Sequence, residues 1–306
     1  VAQPSRWPHC SPHSDSSDPT TSCTSYLEQT SPTKTKEGTM NGPTTKITID
    51  EQVPGYWRVT LDNPPINTVD DQMYDEVFDL VEAMDAEPTL KVVTFESANP
   101  DYFLAHYGVG ESSSRFGTPR WLEAATRLAH SNVLSIAVVR GRARGGGSEF
   151  ALACDIRFAS REKAIFGQPE VGFGLIPGGG ALERLPLLVG RSRAIEIVLG
   201  ADDFDADTAE RYGWINRAIP DAQLDEFVAE FVRRVLSFDG QALATAKQIL
   251  NQTFIPNPDQ LQSTQAAFGA TLRRPEVLEL MAKARERGLG TAGAFELDLG
   301  RSVAEL

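Results

Sequence analysis

The chain has 306 residues and a formal net charge of −13, with 42 acidic side chains against 29 basic ones. Its basic residues do not gather into an aromatic-interleaved patch, which argues against nucleic acid as the main partner, and no run reaches the apolar length of a membrane helix. Of the three cysteines, Cys154 lies in an apolar segment while Cys10 and Cys23 lack metal-ligand spacing, so neither a disulfide framework nor a metal site is expected.

Residues 1–39 are about half Ser, Thr and Pro without apolar periodicity, and they are predicted to be a disordered leader. They have neither the apolar core of a secretory signal nor the Arg-rich, acid-poor composition of a transit peptide, and Met40-Asn41-Gly42 reads as a start downstream of them. Residues 45–50 and 56–62 alternate as half-buried strands around Pro54-Gly55. Asp70 or Asp71 can cap a helix with apolar positions Met73, Val77, Leu80, Val81 and Met84, which Pro88 stops. A strand follows at 90–95. Residues 135–139 read as strand, Gly145-Gly146-Gly147 as a turn, 149–154 as a short buried helix and 156–159 as a returning strand. Helices are predicted over 192–199 and 207–212, a strand over 213–219, and helices again around Leu224, Phe227, Val228, Phe231 and Val235, then Leu243, Ala246, Ile249 and Leu250. Pattern alone makes the chain α/β.

Three glycines opening a helix let backbone approach a ligand closely, and the first helical N–H groups have no intrahelical partner. Such a site suits an oxygen that becomes negative during reaction. A phosphate loop is the weaker reading, because no Gly-Lys-Ser/Thr ending follows. Glu149 lies in the first turn of that helix within an apolar segment, and Glu170 follows in Gly167-Gln168-Pro169-Glu170. Either carboxylate alone reads as structural; the two flanking an anion site form a candidate acid/base pair. Arg140, Arg142 and Arg144 lead into the glycines and read either as solvated loop charges or as groups that reverse the negative field for an anionic ligand.

The ordered run Gly145-Gly146-Gly147-Ser148-Glu149 to Cys154-Asp155, then Phe166-Gly167-Gln168-Pro169-Glu170, Gly174-Leu175-Ile176-Pro177-Gly178-Gly179-Gly180 and Arg184-Leu185-Pro186, resembles the crotonase, or enoyl-CoA hydratase/isomerase, superfamily. The resemblance covers roughly residues 46–288. It implies a spiral of ββα units over 40–220 and a C-terminal helical region over 221–306 for packing and oligomerisation. It also implies an acyl-CoA substrate with no resident cofactor, and a homotrimer or homohexamer. Catalysis would fall to Glu149 and Glu170, and the backbone oxyanion donors to Gly146 and Tyr107. The donor at Tyr107 follows from aligning Phe103 and Ala105 with the family's Phe-x-Ala-Gly-Ala-Asp, in which His106 and Tyr107 replace smaller residues. Ala105, His106, Arg144, Gly145 and Pro169 would line the substrate, with His106 shaping the pocket rather than reacting. Asn67 reads equally as a CoA-side contact and as a turn residue.

The implied reaction is hydration of a trans-2-enoyl-CoA. The alternatives are an isomerase, a decarboxylase using Arg144 toward an acidic acyl group, or another acyl-CoA reaction. A non-catalytic CoA- or RNA-binding protein is a further alternative, which the acidic balance disfavours. The expected compartment is the cytoplasm, or the mitochondrial matrix for a eukaryotic chain.

Overall fold

The computed structural model describes residues 45–108 and 119–306. The expected leader, the start at Met40, and Cys10 and Cys23 lie outside these residues.

Among the described residues ten strands form two sheets. They are β1 (Ile47–Val53), β2 (Tyr56–Leu61), β3 (Val92–Ser97), β4 (Tyr102–Leu104), β5 (Leu134–Val139), β6 (Arg142–Arg144), β7 (Ile156–Ser160), β8 (Ile165–Gly167), β9 (Asp203–Asp205) and β10 (Arg217–Ile219). The larger sheet has the order β1-β2-β3-β5-β7-β10, parallel except for the β1/β2 hairpin; the smaller has the order β4-β6-β8-β9, with only β9 antiparallel. Three times the chain places a strand in the large sheet and the next strand in the small one, then turns into a helix: Pro119–His130, Gly146–Ala153, or the 3₁₀ turn Pro169–Phe173. This repetition carries every such helix to the same end of the small sheet, where the candidate site lies.

The large sheet is apolar on both faces, as parallel sheets covered on both sides are. Val59, Leu61, Val93, Phe95, Ala137 and Val139 face one cluster, and Tyr56, Val92, Ile136, Val138 and Phe158 the other. The helix Asp71–Ala86 covers the first face with Met73, Tyr74, Val77, Leu80, Val81 and Met84; of the two possible caps, Asp70 is the one used, accepting from Met73 N at 3.0 Å. The helix Asp221–Leu236 covers the second face with Leu224, Val228, Val232 and Val235.

Several elements depart from expectation. The helix expected from 149 starts at Gly146 and is buried throughout; its first turn packs directly on β4, where a Cβ on Gly147 would lie 2.0 Å from Leu104 O. The strand expected over 213–219 is confined to Arg217–Ile219, since Gly213 ends the preceding helix in a left-handed conformation. A helix at Pro119–His130 was not anticipated. In the C-terminal region the helix Gly240–Phe254 has no buried residue and exposes Ile249, Leu250 and Phe254. Pro275–Glu286 and the short helices Ala294–Leu297 and Leu299–Val303 instead share an apolar cluster with Phe173 and Leu175. Among the described residues no helix is long and apolar enough to cross a membrane.

Candidate active site

A cavity of about 90 Å³ opens where the glycine helix, the Pro169–Phe173 turn and the C-terminal helices meet. Tyr74, Tyr107, Trp121, Phe173, Phe268, Met281 and Leu289 give it apolar walls, and His106, Glu149, Glu170 and Gln265 supply its polar groups.

Two glycines explain how the backbone reaches this cavity. Gly145 takes φ +46°, and a Cβ there would sit 2.9 Å from Glu170 Oε1. A Cβ on Gly146 would sit 3.2 Å from the backbone nitrogen of Tyr107, so the segments bearing these two residues are in direct contact. Gly146 is the first residue of its helix, and its N–H has no carbonyl four residues back to bond. The Tyr107 peptide is oriented by a parallel bridge: Val69 N donates to His106 O at 2.9 Å and Gly108 N to Val69 O at 2.8 Å. In a trans peptide the N–H opposes the C=O, so the Tyr107 N–H is directed away from Val69.

Glu149 is 5 % exposed, and its Oε1 accepts from Gly179 N at 2.7 Å and Ala181 N at 3.2 Å, at the start of the helix Ala181–Val189. Burial pushes its carboxyl up to about 7; the two N–H groups and the Arg184 charge restrain the rise. Glu170, on the 3₁₀ turn and partly open to the cavity, is pushed well above the ordinary carboxylate range by burial and then by the Glu149 charge. With its amide nitrogen facing Glu170, Gln168 donates to both carboxylate oxygens at 3.1 Å and accepts from Ser148 Oγ at 3.0 Å. The site thus holds two repelling carboxyls, of which Glu149 has the better support for a negative charge.

His106 lines the cavity with both ring nitrogens engaged, Nδ1 to Tyr107 O at 2.6 Å and Nε2 to Glu296 Oε1 at 2.8 Å. Burial lowers its basicity, but the facing Glu296 carboxylate outweighs burial and raises it above the usual histidine value. Pro169 and Gly145 also line the cavity. The phenol of Tyr107 is pushed up by burial, with Tyr74 and Asp71 adding to the rise.

Three of the expected contacts, Asn67, Ala105 and Arg144, are not among the residues that line the cavity. Asn67 is fully buried at φ +54°, donating to Leu61 O, Ser97 Oγ and Phe103 O; it is a turn residue that ties the β2 exit to β4. Ala105 donates its N–H to Asn67 O at 3.1 Å behind the cavity wall. Arg144 is 1 % exposed with its guanidinium on Asp203 and on the carbonyls of Glu296 and Leu297, where it acts as an internal tie, and it is not among the residues that line the cavity. Arg140 is similarly paired with Asp221 and Asp225, and Arg142 with Leu297 O.

Sequence reasoning missed Trp121, Phe268, Met281, Leu289, Gln168 and Glu296. The apolar spacing of Trp121, Leu122, Ala124, Ala125 and Leu128 signals the helix that delivers Trp121. Glu296 has no comparable local signal.

A family model described as enoyl-CoA hydratase/isomerase matches residues 52–287. A Mycobacterium leprae protein assigned as enoyl-CoA hydratase echA8 is 30% identical over 210 residues, covering 66% of this chain and 81% of the relative. The crotonyl-CoA hydratase of Syntrophomonas wolfei is 41% identical over 135 residues, 44% of this chain and 52% of that protein. Among solved structures, one from Streptomyces avermitilis assigned as an enoyl-CoA hydratase superposes with a TM-score of 0.80 at 39% identity, covering 88% of this chain and 99% of that one. The mixed α/β fold with two sheets and C-terminal helices is the fold of these structures.

Proposed function

The chain belongs to the enoyl-CoA hydratase/isomerase family, and from that premise we propose that it adds water across the C2=C3 bond of a trans-2-enoyl-CoA. The observation that carries this reading is the meeting of Glu149 and Glu170, from two different elements, in one apolar cavity beside the Gly146 helix start.

In the proposed reaction the thioester oxygen lies between the N–H groups of Tyr107 and Gly146, which stabilise the negative charge it gains as an enolate. Water sits between the carboxyls. Glu149, supported by two backbone N–H groups, is the ionised partner: it takes a proton from water as the oxygen bonds to C3. Glu170, whose carboxyl is raised by burial and by the Glu149 charge, holds the second proton and delivers it to C2. One water is consumed, and a proton passing from Glu149 to Glu170 restores the starting state. The apolar walls exclude bulk water and strengthen each charge interaction.

Two similar proteins, the crotonyl-CoA hydratase of Syntrophomonas wolfei and the short-chain-enoyl-CoA hydratase of Clostridium acetobutylicum, support a short acyl chain. The engagement of the Arg144 guanidinium by Asp203 and the Glu296 carbonyl disfavours decarboxylation assisted by that side chain. Assembly as a trimer or hexamer is part of the proposal, supported by the exposed apolar side chains Leu199, Ile249, Leu250 and Phe254. The test is the loss of enoyl absorbance with crotonyl-CoA, in the natural chain and in Glu149→Gln and Glu170→Gln. Each substitution is expected to lower turnover by ~10²–10⁴-fold with thioester binding retained. Undiminished turnover in both variants contradicts the mechanism.

A further inference from the structure

The segment that follows Gly290 reaches His106, Arg144 and the Glu170 turn although none of its own residues lines the cavity. Glu296, on the helix Ala294–Leu297, is fully buried; its Oε1 accepts from His106 Nε2 at 2.8 Å and from Gly290 N at 2.6 Å. Its Oε2 has no hydrogen-bond partner among the described residues. A buried ion pair of this kind is weak evidence for stability, since desolvation offsets much of the attraction. Its geometry shows another use.

We propose that Glu296 is a positioning residue for the oxyanion hole, tying the segments that carry the Tyr107 and Gly146 donors to one point. The inference rests on the hydratase-family reading of that hole. On the Tyr107 side, the carbonyl of Tyr107 can only accept, so His106 Nδ1 must carry the hydrogen of that 2.6 Å bond. The ring is thereby fixed between the Tyr107 carbonyl and the Glu296 carboxylate. Burial pushes the Glu296 carboxyl up, but the His106 charge and the Gly290 N–H outweigh it and hold it below the usual range, consistent with an imidazolium–carboxylate pair. On the Gly146 side, Arg144 is the last residue of β6 and directly precedes Gly145. Its guanidinium donates to the carbonyls of Glu296 and Leu297 and is clamped from the other side by Asp203. The same segment reaches the Glu170 turn, because a Cβ on Gly172 would lie 2.7 Å from Val303.

A displacement of Glu296 therefore moves His106 and the Tyr107 peptide relative to Gly146, whereas the walls formed by Tyr74, Trp121, Phe268 and Met281 come from other elements. The expected signature is lost carbonyl polarisation and lower kcat with little change in binding. The experiment uses the full chain with butyryl-CoA labelled with ¹³C at the thioester carbonyl, a ligand that has no double bond to hydrate. Its carbonyl stretch in the complex is read by infrared difference spectroscopy, alongside kcat and KM on crotonyl-CoA.

The natural chain is expected to lower the stretch, and Glu296→Ala to move it back toward the free ligand. With Glu296→Ala, kcat falls about tenfold or more, while KM and the butyryl-CoA Kd stay within about threefold. Glu296→Gln keeps an oxygen where Oε1 accepts from both Gly290 N and a protonated His106 Nε2, and it is expected to retain most of the shift in acid solution, where His106 carries its second proton. If Glu296→Ala does not fold, the paired change His106→Ala with Glu296→Gln leaves no buried unpaired charge and carries the same expectation for the stretch and kcat, with KM free to move because His106 lines the cavity. An unchanged stretch and kcat in folded Glu296→Ala, or a loss confined to KM, overturns the inference. A natural chain that polarises the carbonyl but does not hydrate crotonyl-CoA removes the hydratase reading, and the infrared comparison still decides the role of Glu296. A natural chain that leaves the stretch unmoved overturns both.

Discussion

Replacing Glu149 by Gln is expected to stabilise the fold at alkaline pH while removing activity. The carboxyl is raised by burial from 4.5 to about 7, so the folded chain holds a proton that the unfolded chain releases. Below pH 4.5 both states are protonated and the group contributes nothing to the balance. As pH rises toward 7 the unfolded state gains by ionising, and above 7 the destabilisation levels off. At 1.36 kcal/mol per unit the shift corresponds to about 3 kcal/mol. The two backbone bonds to Oε1 already enter that shift, and glutamine keeps an oxygen to accept them. Comparing natural and variant chains by urea unfolding at pH 4 and pH 9, at one protein concentration, cancels the pH-independent consequences of the substitution. The difference in unfolding free energy should move by about 3 kcal/mol in favour of the variant between those pH values. The Glu170 carboxyl adds to the gain, because the Glu149 charge no longer opposes its ionisation. A difference that is flat with pH, or larger at pH 4, refutes the burial of this carboxyl and the electrostatic basis of the acid/base pair.

Three further outcomes follow from the same geometry. The pH profile of kcat/KM for crotonyl-CoA should be bell-shaped, rising through about 7 as Glu149 ionises and falling on the alkaline side as Glu170 loses its proton; a flat profile from pH 5 to 10 contradicts the assignment. Gly146→Ala places a methyl 3.2 Å from Tyr107 N, and kcat should drop by ~10–100-fold with a circular dichroism spectrum like that of the natural chain. His106→Ala should destabilise most near pH 5–6. The raised histidine stabilises fully below its unfolded value of about 6.5 and the lowered Glu296 fully above about 4.5, so the contribution fades as pH rises through the histidine's raised value and as it falls through the carboxyl's lowered one; a destabilisation that grows with pH refutes the charged pair.

The hairpin of β1 and β2 and the helix Asp71–Ala86 are legible because their apolar positions repeat with periods of two and of three to four over many residues. The glycine run and both glutamates are legible for a different reason: their residue types are costly in a buried segment unless they have work there. β4, β6 and β8 span three residues each, too few for a period to declare itself, so the small sheet that aligns the site was invisible. Arg144 looked like a loop charge because its partners Asp203 and Glu296 lie 59 and 152 residues further along. Glu296 is 190 residues from His106, and nothing in its own neighbourhood marks it as buried. Asn67 was balanced between two readings that only its side-chain partners separate.

The central claim is that the Glu149–Glu170 pair adds the elements of water to an enoyl thioester, and isotopic water tests it most directly. Crotonyl-CoA incubated with the natural chain in ¹⁸O-enriched D₂O should give 3-hydroxybutyryl-CoA with ¹⁸O at C3 and deuterium at C2, both lost in Glu149→Gln and Glu170→Gln. Deuterium entering the acyl chain without ¹⁸O, or crotonyl-CoA recovered unlabelled, would contradict it.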